Sequence, residues 1–199
     1  MKVLYLASQS PRRRQLLEQL GLRPTPMLPQ ADEDSEALEA IVPGESPDTY
    51  VERVTRLKLE ASLRRLRRLG WPSAPVLCAD TTVALGRDIL GKPDDAAHAL
   101  DMLQRLSGQT HRVLTCVAVG TARRQQQMLQ VSKVRMGEIP SARLRAYVRG
   151  GEPMGKAGAY AIQGQAAGFI EHISGSHSGI MGLPLFETAA LLRDFGFKV

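Results

Sequence analysis

Aromatic residues are scarce in this sequence of 199 residues, at 5%. A protein that holds single-stranded nucleic acid by stacking needs aromatic platforms among its cations, and none of the basic clusters here has them. Cysteine is scarcer still. Cys78 and Cys116 each sit inside an apolar run with no Cys or His nearby at ligand spacing, so they are expected to be free buried thiols rather than a zinc site. The histidines, at 98, 111, 172 and 177, show no ligand spacing either. No apolar run approaches the ~20 residues that a membrane-spanning helix requires. The N-terminal run Val3 to Ala7 leads into basic residues, not a small-residue cleavage site. The expectation is a cytoplasmic protein with no membrane partner. No P-loop, Gly-x-Gly-x-x-Gly or nucleophile-elbow pattern occurs, which removes those routes to phosphate binding and acyl transfer.

Lysine is also in short supply. The formal charge is +6, yet only six of the 26 basic residues are lysine. A chain that uses arginine so freely draws attention to the lysines it keeps: Lys58, Lys92, Lys133 and Lys156, besides the near-terminal Lys2 and Lys198. The positive balance fits either nucleic acid or an anionic substrate. Hydrophobic residues, at 43%, suffice for a core, and the length fits a single domain over residues 1–199.

Strand and helix signals alternate. Val3 to Ala7 reads as a strand, followed by a helix with Ser10 at its N-cap, Pro11 in its first turn and Gly21 at its stop. Pro24 to Glu45 is Pro-rich and acidic and reads as loop with a short strand. A long helix is predicted from Pro47 to Leu69 behind Ser46, with Tyr50, Val54, Leu57 and Ala61 as its apolar stripe and a solvated Glu52–Arg56–Glu60–Arg64 ladder. The Arg64–Arg68 cluster reads as its solvated end. Val76 to Ala79 is a second buried strand, ended by Asp80, Thr81 and Thr82, with a hairpin around Gly86 after it. A helix over 94–106, two longer strands over 111–121 and 126–136, a helix over 141–149, a strand over 169–173 and a helix over 184–195 complete the pattern. This is α/β with a mixed sheet. Ligands of open α/β sheets sit outside the carboxyl ends of strands, so both polar triplets are candidates for one site.

Arg12, Arg13 and Arg14 occupy the positive end of a helix, where cations are disfavoured by roughly 0.3–1 kcal/mol each. Arg14 has Glu18 four residues on. Arg12 and Arg13 have only Leu16 and Leu17 there. Two readings stand: a tolerated, solvated basic turn, or an anion site made by backbone N–H groups, the hydroxyls of Ser8 and Ser10, and two guanidinium forks. Asp80 is either a turn-capping carboxylate or a working one, with Lys92 brought back to it by the hairpin. Lys58 has no carboxylate at i±3 or i±4, so it either snorkels to solvent or serves a site.

Read together, Leu-Ala-Ser-Gln-Ser-Pro-Arg-Arg (6–13), Tyr50-Val51 through Lys58, Ala79-Asp80-Thr81, Gly91-Lys92-Pro93, Met102 through Gly108, Lys156-Ala157-Gly158-Ala159-Tyr160, Ile162-Gln163-Gly164 and Gly182-Leu183-Pro184 resemble the ordered motifs of the Maf family of nucleotide pyrophosphatases. The resemblance implies hydrolysis of a nucleoside triphosphate to the monophosphate and pyrophosphate with a divalent metal, Mg²⁺ or Mn²⁺. Within the family, Arg12, Thr81 and Gln163 resemble the dTTP/UTP subgroup. The implied fold is an elongated mixed sheet flanked by helices, with two lobes around a deep cleft, of the Maf and ITPase type. Homodimers are implied as partners.

On that resemblance Ser8, Arg12, Arg13, Lys58 and Lys92 bind the triphosphate, Asp80 is the general base, Asp80 and Glu33 hold the metal, Gln163 reads a pyrimidine edge, and Thr81 shapes the base or sugar pocket. One departure stands out: Gly155 replaces the Asp that usually precedes the Lys-Ala-Gly block, which predicts weaker metal binding or a less ordered loop. Two rival readings are a nucleic-acid-binding module driven by charge and a non-catalytic nucleotide sensor in division control.

Overall fold

The computed structural model describes residues 2–30, 33 and 37–199. Of the acidic run, Asp32, Asp34 and Glu36 lie outside the described residues. The strands are β1 (Tyr5–Leu6), β2 (Thr25–Pro26), β3 (Val76–Leu85), β4 (Asp88–Leu90), β5 (Thr110–Gly120), β6 (Gln125–Met136) and β7 (Ile170–Ser174). The helices are α1 (Pro11–Gln19), α2 (Pro47–Arg68), α3 (Ala96–Leu106), α4 (Ser141–Arg149), α5 (His177–Met181) and α6 (Leu185–Asp194). One sheet runs in the order β2-β1-β3-β5-β6-β7, with β4 folded back on β3. β1 pairs parallel with β2 and β3, and every other pairing is antiparallel. It is the mixed α/β sheet flanked by helices that the sequence predicts.

α2 forms where the sequence signals it. The Ser46 hydroxyl accepts from the Thr49 N–H at 3.2 Å, Pro47 opens the first turn, and Gly70 follows the end at φ +63°. Val51, Val54 and Leu59 bury its inner face against β3 and β5. The strand β5 is buried nearly end to end, because α2 covers one face and α5 and α6 the other.

The second strand differs from its predicted extent. Val76–Ala79 does not stop at Asp80. β3 continues through Leu85, because β5 pairs with it without interruption from Val76↔Gly120 to Ala84↔Arg112. Asp80 and Thr81 are therefore mid-strand, opposite Cys116 and Thr115. The carboxyl-end argument holds only for β1. Along β3, Leu77 and Ala79 belong to an apolar cluster with Leu6, Leu17 and Leu192, whereas Val83 belongs to another with Leu103, Leu106 and Val113. The polar triplet 80–82 interrupts the apolar run between them. α5, a single short helix in a Gly-rich stretch, carries no sequence signal strong enough to predict it. It is capped by the Ser176 hydroxyl, which accepts from Gly179 N–H at 3.0 Å.

Both cysteines are free and buried, and burial raises their thiol pKa values to about 11 for Cys78 and about 12 for Cys116. No helix among the described residues is long and apolar enough to cross a membrane.

Two local features yield predictions. Gly158 has φ +66°, its N–H donates to the Gly91 carbonyl at 3.0 Å, and an added Cβ would lie 2.8–2.9 Å from Val83 side-chain atoms. Gly158→Ala is expected to destabilise the fold by about 2–4 kcal/mol through overpacking and left-handed backbone strain. Urea unfolding checks this, and an unchanged midpoint would contradict it. His111 is buried, with Nε2 2.8 Å from the Tyr160 hydroxyl, and burial lowers its pKa from 6.5 to about 4. The unfolded chain therefore takes up this proton first. The contribution is fully present above about pH 6.5 and is lost as pH falls toward 4, with a slope of at most about 1.4 kcal/mol per pH unit. Unfolding between pH 6.5 and 5, above the carboxylate range, should show this slope, and His111→Phe should flatten it.

Candidate active site

A pocket of about 560 Å³ opens beside the polar triplet of β3. Ser8, Arg12, Arg13, Lys58, Asp80, Thr81 and Lys92 all line it, joined by Glu39 and Tyr50. Four elements bring these side chains together. The β1–α1 turn carries Ser8 and the two arginines, α2 carries Lys58, β3 carries Asp80 and Thr81, and the turn after β4 carries Lys92.

Arg13 is fixed on three sides. Nε donates to the Gly182 carbonyl at 2.8 Å, Nη1 to Ser8 Oγ at 3.2 Å, and Nη2 to Thr81 Oγ1 at 3.5 Å. Burial lowers its pKa, and the nearby Asp80 charge opposes that shift. Thr115 donates to the Gly179 carbonyl at 2.8 Å, which leaves Thr81 to donate to Thr115 across 2.9 Å. The Thr81 hydroxyl proton is thus committed to the sheet, and its oxygen faces Arg13. Arg12, by contrast, makes no hydrogen bond or ion pair among the described residues, although it lines the same pocket. Arg14 is taken by Glu18 at 3.0 Å, as its spacing predicts.

Lys58 is the hub. Its ammonium donates to Asp80 Oδ1 at 2.5 Å and to Glu39 Oε1 at 2.7 Å. Burial alone would lower its pKa, but the Asp80 and Glu39 carboxylates outweigh burial and the net shift is upward. Glu39 Oε2 accepts from Lys92 at 2.9 Å. Burial pushes the Glu39 pKa up, the two lysines push it down, and the lysines prevail. Asp80 lines the pocket, and its Oδ2 has no hydrogen-bond partner among the described residues.

Two predicted site residues lie elsewhere. Glu33 does not line the pocket. Its carboxylate accepts from Arg65 Nε at 2.9 and 3.0 Å, from Arg65 Nη2, and from Arg68 at 2.6 Å, and the Arg65 bonds hold its pKa below the usual carboxylate range. Gln163 is exposed and off the pocket wall, although its neighbour Ile162 lines it. Arg65 corrects the reading of residues 64–68 as a solvated end. Its side chain is buried, and it also donates to the Met27 carbonyl at 3.3 Å. The helical period was the available signal, since Ser62 and Leu66, on the same face, are buried too. Nothing local marks Glu39, because both of its partners are distant in sequence.

Gly155 lines the pocket at φ +70° with open space where a Cβ would project. No cluster of three or more potential metal-ligating side chains occurs among the described residues. The donors that converge are two carboxylates, Asp80 and Glu39, on either side of the Lys58 ammonium. An all-oxygen set of one or two carboxylates suits a hard cation completed by water and phosphate, not a soft metal.

Residues 3–195 match the family described as Maf-like protein. A protein named dTTP/UTP pyrophosphatase from Albidiferax ferrireducens is 64% identical over 196 residues, covering 98% of each chain. Proteins of the same name from Polaromonas sp. and Cupriavidus metallidurans are 61% and 60% identical, each covering 98% of this chain and 97% of the relative. The Staphylococcus aureus Ham1 protein superposes with a TM-score of 0.51 at 12% identity, covering 98% of this chain and 97% of that one, a likeness of fold alone. The motif blocks that surround the pocket and a match that runs almost from end to end lead to one conclusion: the chain belongs to the Maf-like protein family.

Proposed function

We propose that this protein hydrolyses dTTP and UTP to the monophosphate and pyrophosphate in this pocket. The observation that carries the reading is the convergence of Arg12, Arg13, Lys58 and Lys92 around the Asp80 carboxylate in a cavity within the usual range of roughly 300–1,000 Å³ for small-molecule sites. The names of the relatives at 60–64% identity supply the substrate class.

Hydrolysis at the α-phosphorus forms a bond from water oxygen to phosphorus and breaks the bond to the bridging oxygen, which leaves with pyrophosphate. Charge accumulates on phosphate oxygens, so preset cations provide most of the catalysis. Arg12, unpaired in the pocket among the described residues, takes the triphosphate together with Lys58 and Lys92, while Arg13 and Ser8 add to the phosphate contacts and hold the turn that presents Arg12. Asp80 Oδ2 takes the proton from the attacking water, and Lys58 orients the carboxylate through its bond to Oδ1. A Mg²⁺ or Mn²⁺ ion held by Asp80 and the phosphates would neutralise oxygen charge and acidify water. Glu33 can join such an ion only by leaving Arg65 and Arg68. Thr81 shapes the pocket wall, and Gln163, exposed outside that wall beside Ile162, reads a pyrimidine edge that extends past the pocket's lining. The same reading includes a cytoplasmic homodimer with no nucleic-acid or membrane partner.

A second reading is a nucleotide sensor without turnover. Gly155, on the pocket wall and without a carboxylate, favours it.

Asp80→Asn is expected to lower pyrophosphate release from dTTP and UTP by about 10²–10⁴-fold with an unchanged circular dichroism spectrum. Full activity in that variant would remove Asp80 as the base, and a wild-type protein that binds but never turns over would favour the sensor. Gln163→Ala should cost about 1 kcal/mol of discrimination, roughly fivefold in the kcat/KM ratio of dTTP to a purine triphosphate. An unaltered ratio would release Gln163 from base reading.

A further inference from the structure

Glu39 does something in this pocket that neither the family motifs nor the proposed chemistry requires. Its two carboxylate oxygens are divided between two lysines, Oε1 to Lys58 at 2.7 Å and Oε2 to Lys92 at 2.9 Å. These are two of the cations assigned above to the triphosphate. One lysine comes from α2 and the other from the turn after β4, and an anion with two oxygens bridges them. That is the geometry in which a phosphate group would engage the same pair.

The segment that carries Glu39 is anchored independently of this carboxylate. Tyr50 donates through its hydroxyl to the Glu39 carbonyl at 3.0 Å, and Arg53 donates to the Ala40 carbonyl at 2.8 Å. Arg53 also forks onto Glu45 at 2.6 and 2.7 Å. Beyond these anchors the strap is loosely packed, with Ile41 and Val42 55% and 49% exposed. Rotation of one side chain therefore removes the Glu39 carboxylate while the strap stays tied to α2.

We infer that Glu39 is a built-in competitor for the polyphosphate: in the free protein it occupies Lys58 and Lys92, and binding displaces it. This rests on the assignment of those two lysines to the triphosphate. The Glu39–Lys92 pair is exposed enough for solvent to screen it, and at the deeper Lys58 a phosphate oxygen replaces the carboxylate, so that ammonium is never left without opposite charge. A triphosphate brings several negative charges to the same cations and to Arg12 as well, so it prevails. Lys58 keeps its bond to Asp80 throughout, so displacement leaves the hub in place. The net downward shift of the Glu39 pKa agrees with a carboxylate that is ionised at neutral pH. The consequence is a threshold. Weak monoanions do not dislodge Glu39, and polyphosphates do.

The test measures binding of inorganic tripolyphosphate, without metal or turnover, to the full chain by calorimetry. Glu39→Gln should tighten the dissociation constant about fivefold, the combined equivalent of its two lost screened ion pairs, and the KM for dTTP should fall by a similar factor. Glu39→Ala should do the same, so the result does not hang on one variant. Glu45→Gln, which touches neither lysine, should leave the tripolyphosphate constant unchanged. Equal or weaker binding in both Glu39 variants would overturn the inference. So would a collapse of kcat with weaker Mn²⁺ binding, which would make Glu39 a metal ligand. A wild-type protein and variants that bind no tripolyphosphate would overturn the assignment of the lysines themselves. Absence of hydrolysis alongside tightened binding would remove only the catalytic reading.

Discussion

The pocket depends on one ammonium group. Lys58 projects from α2 between Asp80 of β3 and Glu39 of the strap, and it is the contact that joins helix, sheet and loop at the site. A largely buried lysine is tolerated only with opposite charge beside it, and breaking such a pair leaves an uncompensated charge in low dielectric. Each carboxylate needs the lysine in turn. The arrangement ties Asp80 through Oδ1 alone and leaves Arg12 unpaired nearby among the described residues. The proposed polyanion site and the proposed base for water both depend on that one constraint.

The sheet makes that constraint possible. Because β5 pairs with β3 along its whole length, the Asp80 backbone is fixed from both sides of the polar triplet, not left at a fraying strand end. The Thr81–Thr115–Gly179 hydroxyl chain commits its donors inward, which turns the Thr81 oxygen toward Arg13. Arg13 in turn ties the β1–α1 turn to the end of α5 through Gly182. Arg13 spends its donors on Gly182, Ser8 and Thr81, whereas Arg12, one residue earlier, makes no hydrogen bond or ion pair among the described residues. Two adjacent arginines at one helix end thus divide the work.

Much of this was legible in the sequence, and the reasons differ by residue. α2, β5 and β6 carry long periodic or apolar patterns with clear caps and stops, so their presence and type could be read. Arg12 stood out because a cation at a positive helix end lacked a partner four residues on, and Lys58 because no carboxylate lay on its own helix face. Those are local signals. Glu39 was not legible, since its partners are 19 and 53 residues away and only the fold brings them near, and for Arg65 the helical period signalled burial but not its partner 32 residues away. Asp80 was legible as a candidate but not in its setting, because a polar triplet reads as a strand end unless the pairing of β5 is known. The position of Glu33 against Arg65 and Arg68, away from the pocket, likewise follows from tertiary charge pairing that no spacing rule contains.

In the proposed reaction, water attacks the α-phosphorus of a pyrimidine nucleoside triphosphate and pyrophosphate leaves. Hydrolysis of dTTP by the wild-type protein in ¹⁸O-labelled water, followed by mass analysis of both products, tests it most directly. Attack at the α-phosphorus puts one ¹⁸O atom in the nucleoside monophosphate and none in the pyrophosphate. Label in the pyrophosphate, or release of orthophosphate in its place, would contradict it.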